Sequence, residues 1–492
     1  MKRVASGVLP VIAVDRKVSK PLHRQIYDSY RVAIANGGLR PGQRILSTRV
    51  LASEIGVSRF PVLNAYSQLL AEGYLESRVG AGTVVTSSLP EQLTASAPAG
   101  EKIVPQRGGA RPVAARCSDL PPREAFPWMM NYGAFRVGQV AFDQFPMQIW
   151  SKLVARHCRS MGIESAHYGK LMGSEPLRQA IANYLKTARS VRCEPEQVLI
   201  VNGSQQAIDI STRVLLNPGD RVWIEEPSYR LAQDVFTLSG CQPIPIPVDR
   251  EGMDVTAGIK KSRSARAAFV TPSHQFPLGV TMSASRRMQL VDWAQNSGAW
   301  IIEDDYDSEY RYESLPIASL QGLDSNSRVI YVGTFSKVLF PSLRLGYMVI
   351  PPDLVDRFLR MRRVMDLGQP TFYQEVVADF ISEGHFARHI RRMRVLYREL
   401  RRVLVEALGR NFEDKLEVVG DEAGMHLTVL LKDGYRDEEI AERASRQNLS
   451  VWPLSRCYLD TPLQGLVLGF GGTTVRGIPS AVRKLRGLME GC

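Results

Sequence analysis

The residues best suited to chemistry gather around Lys337. It closes Thr334-Phe335-Ser336-Lys337, directly after the apolar run Val329-Ile330-Tyr331-Val332, and Arg344 follows seven residues later. A second apolar run, Trp300-Ile301-Ile302, ends in Glu303-Asp304-Asp305-Tyr306. A lysine on a strand-end loop, flanked by small hydroxyls and a guanidinium, suits an aldehyde cofactor with a phosphate tail. The amine forms a Schiff base, and the hydroxyls and arginine hold the phosphate dianion. An acidic residue at a neighbouring strand end keeps a pyridine nitrogen protonated, which makes the ring an electron sink. That set describes pyridoxal 5′-phosphate. Asp304 and Asp305 are adjacent, so on a strand they point oppositely and one of the two faces the ring.

The elements that must position these residues follow from pattern. From about Trp150 onward, apolar runs alternate with helical spacing. Strands are expected at Val198–Val201, Arg221–Ile224, Pro243–Val248, Ala267–Val270, Trp300–Ile302, Val329–Val332 and Tyr347–Ile350. Strand–helix alternation implies a mostly parallel sheet wrapped by helices, with ligands at the strand C-terminal ends. Val198–Val201 runs into Asn202-Gly203-Ser204-Gln205-Gln206 and a helix, whose first N–H groups suit a phosphate. Arg221–Ile224 leads to Tyr229, a ring placed to stack on a cofactor, and Ala267–Val270 leads to Thr271–Gly279. A helix after Gly-Ser needs no ligand, and lone tyrosines are ordinary packing aromatics. Four such strand ends in order point to one site.

Length and charge divide the chain further. With 492 residues, two or three domains are expected. Hydrophobic content of 44% beside 23% charged residues reads as soluble and globular. Net charge is +12, and residues 1–86 hold 12 Lys/Arg against 5 Asp/Glu, or 12 − 5 = +7 of it. A small basic module on a nearly balanced large one suits a polyanionic partner, although a merely soluble basic domain carries the same charge. Six scattered cysteines without CxxC spacing read as reduced thiols in a cytosolic protein. There is no apolar signal region and no run of eighteen apolar residues. Neither export nor membrane spanning is expected.

Within the basic module, Leu22, Ile26, Tyr30 and Ala33-Ile34 recur at helical spacing, and Gly37-Gly38 stops that helix. Ser47 suits the cap of a second helix, Thr48 to Ile55. Ser58 suits the cap of a third, from Arg59 to about Glu72, with Pro61 in the first turn. Tyr74–Arg78 and Thr83–Thr86 read as a hairpin about Gly80-Ala81-Gly82. Three helices and a hairpin make a winged helix-turn-helix, its third helix reading the major groove. Residues 87–125 alternate Pro with Ala, Ser and Gly and read as a flexible linker.

Pro21–Ile26, Leu39-Arg40-Pro41-Gly42, Ser47-Thr48-Arg49, Gly56-Val57-Ser58-Arg59 and Ala71–Leu75 resemble the GntR family of bacterial regulators. The resemblance implies that Arg49, Ser58 and Arg59 face DNA and that a wing bearing Gly80 and Gly82 approaches the minor groove. Phe60-Pro61 departs from the polar-Thr pair usual there. Residues 126–490 resemble a fold type I aminotransferase, on Thr271–Gly279, Ile301–Glu309, Gly333–Leu339 and Leu343–Tyr347. This implies an α/β domain with a smaller C-terminal α+β subdomain. Together the modules are similar to the MocR/GabR group of pyridoxal-phosphate-dependent regulators. By that resemblance Lys337 carries the cofactor, Asp304 pairs with the pyridine nitrogen, Tyr306 meets the ring hydroxyl and Tyr229 stacks on the ring. Ser204, Gln205, Ser336 and Arg344 hold the phosphate, and Tyr168 reaches the phosphate of a neighbouring subunit, implying a homodimer.

One departure bears on activity. Many aminotransferases carry a carboxylate-gripping arginine on a strand resembling Arg-Ile-x-Phe; here the stretch is Leu466-Val467-Leu468-Gly469-Phe470-Gly471-Gly472, without one. Arg230 and Arg456 are the candidate substitutes for holding an effector. The expectation is a cytoplasmic bacterial transcription factor, at the nucleoid when DNA-bound. Its cofactor domain senses an amino compound or pyridoxal phosphate and controls binding to operator DNA, with weak or absent transamination. A working aminotransferase with an accessory DNA-binding module is the alternative. The arginine-rich stretch from Arg388 to Arg402 is expected to be a solvated helix face or dimer contact.

Overall fold

The computed structural model describes residues 12, 14–16, 18–78, 82–87, 114–117, 132–163, 167–312, 317–412, 416–420, 422–432 and 434–490. The chain forms two compact units, Met1–Pro112 and Val113–Cys492. Gly80 and most of the Pro-rich linker lie outside the described residues; a short 3-10 helix spans Ala115–Cys117.

In the first unit, helices α1 (Leu22–Ala35), α2 (Thr48–Glu54) and α3 (Arg59–Ala71) precede an antiparallel hairpin of β1 (Leu75–Arg78) and β2 (Gly82–Val85). Ser47 caps α2 by accepting from the Val50 N–H. Ser58 sits at the N-cap of α3 without a side-chain capping bond. Apolar faces of the helices meet the hairpin in one core, including Ile26, Tyr30, Leu51, Val62, Leu69 and Val85. Tyr30 and Tyr66 pack edge to face at 5.4 Å and share a hydrogen bond, and Tyr66 donates on to the Leu46 carbonyl.

The second unit is built on an eight-stranded sheet ordered β3-β10-β9-β8-β7-β4-β5-β6. Its strands are β3 (Val198–Val201), β4 (Arg221–Glu226), β5 (Gln242–Asp249), β6 (Gly252–Met253), β7 (Ala267–Val270), β8 (Trp300–Asp305), β9 (Val329–Thr334) and β10 (Gly346–Val349). From β9 through β8, β7 and β4 to β5 every pairing is parallel, while β10 runs antiparallel between β3 and β9. Central strands are apolar on both faces, as a doubly covered sheet requires.

Helices α4 (Met147–Arg159), α5 (Glu175–Ala188), α6 (Ser204–Leu215), α7 (Arg230–Leu238), α8 (Val255–Lys261), α9 (Ala284–Ser297), α10 (Leu320–Leu323), α11 (Val355–Met365) and α12 (Phe372–Ser382) accompany the sheet. Alternation in β3 shows the layering: Leu199 and Val201 pack with α6 and α11, whereas Val198 and Ile200 pack with α5. The 28-residue α13 (His385–Phe412) leads to a four-stranded antiparallel sheet ordered β11-β12-β14-β13. Those strands are β11 (Leu416–Val419), β12 (His426–Leu431), β13 (Trp452–Pro453) and β14 (Gly465–Gly469); α14 (Asp437–Ser445) lies against β13 and β14, and α15 (Gly477–Met489) packs on α13 and α14. Among the described residues no helix is long and apolar enough to cross a membrane.

Candidate functional site

The C-terminal ends of the parallel strands open onto a cavity of about 580 Å³, lined among others by Ser204, Gln205, Tyr229, Asp304, Tyr306, Ser336, Lys337 and Arg344. Lys337 is half-buried in the cavity wall, and desolvation pulls its ammonium below the usual lysine range against the attraction of Asp307 and Asp304. A neutral amine is the form that adds to a carbonyl. Its tip lies against Gly138, where an added Cβ would come within 2.2 Å of Nζ; Gly138 has φ +75°.

The two neighbouring carboxyls have different tasks. Asp305 turns to the protein: its Oδ2 accepts from Arg189 Nε at 2.8 Å, Tyr331 Oη at 2.5 Å and Ser308 Oγ at 2.9 Å. Asp304 lines the cavity, and its buried Oδ1 has no hydrogen-bond partner. Burial, reinforced by Asp305 and opposed by Lys337, pushes the Asp304 carboxyl up to about 7. A buried acceptor of this kind needs a donor, and a pyridinium N–H is one.

A second corner of the cavity collects donors. Helix α6 begins at Ser204 after Gly203, whose φ of +83° only glycine adopts readily. Arg344 stands beside that turn, donating to the Asn202 carbonyl at 3.0 Å, and Thr334, Ser336 and Ser342 complete the wall. Hydroxyls, a guanidinium and a helix N-terminus together suit a phosphate. Gln205 contributes through the start of α6, since its amide nitrogen donates to the Leu231 carbonyl.

The Tyr229 ring lies edge-on to Phe276 at 5.7 Å. Tyr306 Oη donates to the His274 carbonyl at 2.8 Å and lies 3.1 Å from His274 Nδ1, which also meets the Asp307 carboxylate. The loop after β7 is braced by buried Glu225, which accepts from Thr271 and Gln275.

Three named residues stand elsewhere. Arg230 pairs with Asp234 one helical turn on, and Arg456 pairs with Glu438; neither lines the cavity. Tyr168 is 85% exposed. Conversely, sequence reasoning missed Arg136, His426 and Trp452, all in the cavity wall. The available signal for Arg136 was Phe135-Arg136-Val137-Gly138, a cation two residues before a glycine in an otherwise apolar stretch.

In the basic unit, Arg49, Ser58, Arg59 and Gly82 are all exposed. Arg59 Nε donates to Thr48 Oγ1 at 3.1 Å, tying the start of α3 to the start of α2. Arg44, not singled out from sequence, places its guanidinium over Gly82 at the base of the hairpin turn.

Comparison with known proteins matches both units. Residues 22–85 match the bacterial regulatory proteins of the gntR family, and residues 134–461 match aminotransferase class I and II. The probable rhizopine catabolism regulatory protein MocR of Rhizobium meliloti is 39% identical over 97% of this chain and 95% of its own length. The chain belongs to the MocR group. The HTH-type pyridoxine biosynthesis transcriptional regulator PdxR of Corynebacterium glutamicum is 30% identical over 94% of each chain. Among solved structures, a Pyrococcus horikoshii kynurenine aminotransferase in complex with PMP and kynurenine aligns with TM-score 0.71 at 28% identity. That alignment covers 77% of this chain and 97% of the enzyme. The chain is thus a gntR-family unit followed by a fold type I aminotransferase fold.

Proposed function

We propose that this chain is a transcriptional regulator whose gntR unit binds double-stranded operator DNA while its larger unit holds pyridoxal phosphate and senses an amino compound or the cofactor itself. The observation that carries the cofactor reading is the convergence on one cavity of Lys337, of Asp304, whose carboxyl keeps a buried unpartnered oxygen, and of the donor corner at α6. In this reading Lys337 carries the cofactor, Asp304 holds its ring nitrogen, Tyr229 covers the ring and Tyr306 meets its hydroxyl. Ser204, Ser336, Arg344 and the first N–H groups of α6, Gln205 included, hold the phosphate. Once bound, the cofactor supplies an electron sink for amines. Purified protein should show a visible absorption band that Lys337→Ala removes while leaving the chain folded; a band unchanged in the variant would end the cofactor reading.

The site also supports a reading of the effector. The stretch Leu466–Gly472 carries no arginine, and its glycines let another segment approach. A Cβ on Gly469 would lie 2.3 Å from the Arg136 carbonyl oxygen, and one on Gly471 would lie 2.2 Å from that of Gln139. The segment seated there brings Arg136 into the cavity, near enough to Lys337 to help depress its charge. We infer that Arg136 receives the anionic end of an amino compound whose amine meets the cofactor. Arg136→Gln should abolish discrimination between an amino acid and its decarboxylated amine, read as spectral titration of the cofactor band; retained discrimination would contradict it.

Assembly as a homodimer accounts for exposed apolar side chains. Met161, Ile163 and Tyr168 are open to solvent, as are Val364, Leu367 and Tyr373. The two segments adjoin, since a Cβ on Gly169 would lie 2.6 Å from Thr371 Cγ2. In this reading Tyr168 completes the phosphate corner of a second copy, and the regulator acts in the bacterial cytoplasm.

A further inference from the structure

Helix α3 carries more apolar surface than its fold uses. Val62, Ala65, Tyr66 and Leu69 are buried at the spacing of one helical face. Phe60, Leu63, Asn64 and Ser67 fall on the opposite face and are exposed. Phe60 leaves 70% of its surface in solvent and Leu63 39%. An outer helix face that only meets water is ordinarily polar. Here the apolar side chains stand beside the exposed arginines Arg49 and Arg59, in the part of the chain that holds +7 of the net charge.

An apolar stripe bordered by cations fits a polyanion with apolar groups recessed between its charges. The major groove of duplex DNA has that form: phosphates line its rims, and thymine C5-methyl groups project from its floor. We propose that Phe60 and Leu63 read thymine methyls and that Asn64 pairs bidentately with an adjacent adenine, so that α3 selects consecutive A·T pairs. Phe60 is the second residue of the helix, at the end that reaches base edges in helix-turn-helix proteins. A phenyl ring forms no hydrogen bond to a base edge, so its selectivity comes from burying apolar surface against the methyl. The proposal rests on the operator-binding reading above.

The test uses full-length protein and duplexes that it enriches from a random-sequence pool. Thymines are then replaced singly by deoxyuridine, which removes the C5-methyl and keeps base pairing. Each half-site is expected to contain adjacent A·T pairs, and deoxyuridine at one or two of them should weaken wild-type binding by about fourfold per methyl. Phe60→Ala should lose the thymine–deoxyuridine difference at one of these positions with an unshifted Tm, Leu63→Ala should lose it at the other, and Phe60→Leu should keep part of the difference. Asn64→Ala should relax preference at one neighbouring pair and leave the methyl effect intact. Deoxyuridine without effect on wild type at every position would overturn the proposal, as would undiminished sensitivity in Phe60→Ala. Insensitivity to deoxyuridine together with altered self-association in Phe60→Ala would reassign this face to a second copy and overturn it too. Enrichment of no sequence at all would instead defeat the operator-binding reading.

Discussion

Asp304 and Asp305 share a strand and a side-chain type, yet the fold uses them oppositely. Asp305 gives its Oδ2 to Arg189, Tyr331 and Ser308, which together hold its carboxyl below the usual range despite burial. Asp304 keeps an open acceptor and a carboxyl raised to about 7. A native pKa above the unfolded value means that the folded state binds more protons between about 4 and 7, so this group costs stability increasingly as pH rises through that window. Asp304→Asn should therefore raise the Tm of cofactor-free protein, by an amount that grows from pH 4 to pH 7 and then levels off. The same change should weaken cofactor retention, because the ring nitrogen loses its charged acceptor. A lower Tm at neutral pH would contradict this account of the residue. The sequence limited the choice to one of two adjacent carboxyls, because strand alternation sends them to opposite faces. Which one faces the cavity depends on Arg189, over a hundred positions away in sequence but 2.8 Å away in space.

At the scale of elements, local pattern carried far in the central sheet. The expected runs Val198–Val201 and Ala267–Val270 are β3 and β7, and the other five differ from their strands by one to three residues at an end. Several extend further because their last residues, such as Asp304, Asp305 and Thr334, are polar site residues still in the ladder. Strand β5 tolerates Pro243, Pro245 and Pro247 because alternate residues point their N–H groups to one edge, and β6 pairs with only two β5 residues. The small sheet β11–β14 had no strand assignments apart from the region of β14, since its strands are short and its central pairing joins His426–Leu430 to the distant Gly465–Gly469. Basic character also divides by element. In α13, Arg394 donates to the Glu309 carbonyl and Arg402 pairs with Glu399 and Glu406, whereas Arg49 and Arg59 face solvent. Arg394→Ala should cost roughly 1–2 kcal/mol of stability and leave operator affinity unchanged. Arg59→Ala should weaken operator binding and, where the contact is a phosphate, lower the salt slope by about 1. Operator titrations of both variants at several salt concentrations check this, and the reverse pattern would place the DNA contact on α13.

For the whole molecule, the basic unit and the cofactor unit gain a joint purpose only if occupancy of one alters the other. A ligand shifts such an equilibrium by its difference in affinity for the two states, typically about 5–150-fold in apparent binding. An enzyme instead gains from an amine that reacts and departs. The chain lacks an arginine in Leu466–Gly472 and carries Arg136 on the facing segment, which suits retention of an effector in a changed geometry. Misplacement of reacting groups can cost on the order of 100-fold in rate. The most direct measurement follows operator affinity and keto-acid release in one sample, as a panel of amino acids and amines is added to cofactor-loaded protein. At least one anionic amine is expected to shift operator affinity by about 5–150-fold and to perturb the visible band without sustained keto-acid production. Steady turnover at roughly 1–10³ s⁻¹, with operator affinity unmoved by every compound, would make the chain an aminotransferase and contradict the account.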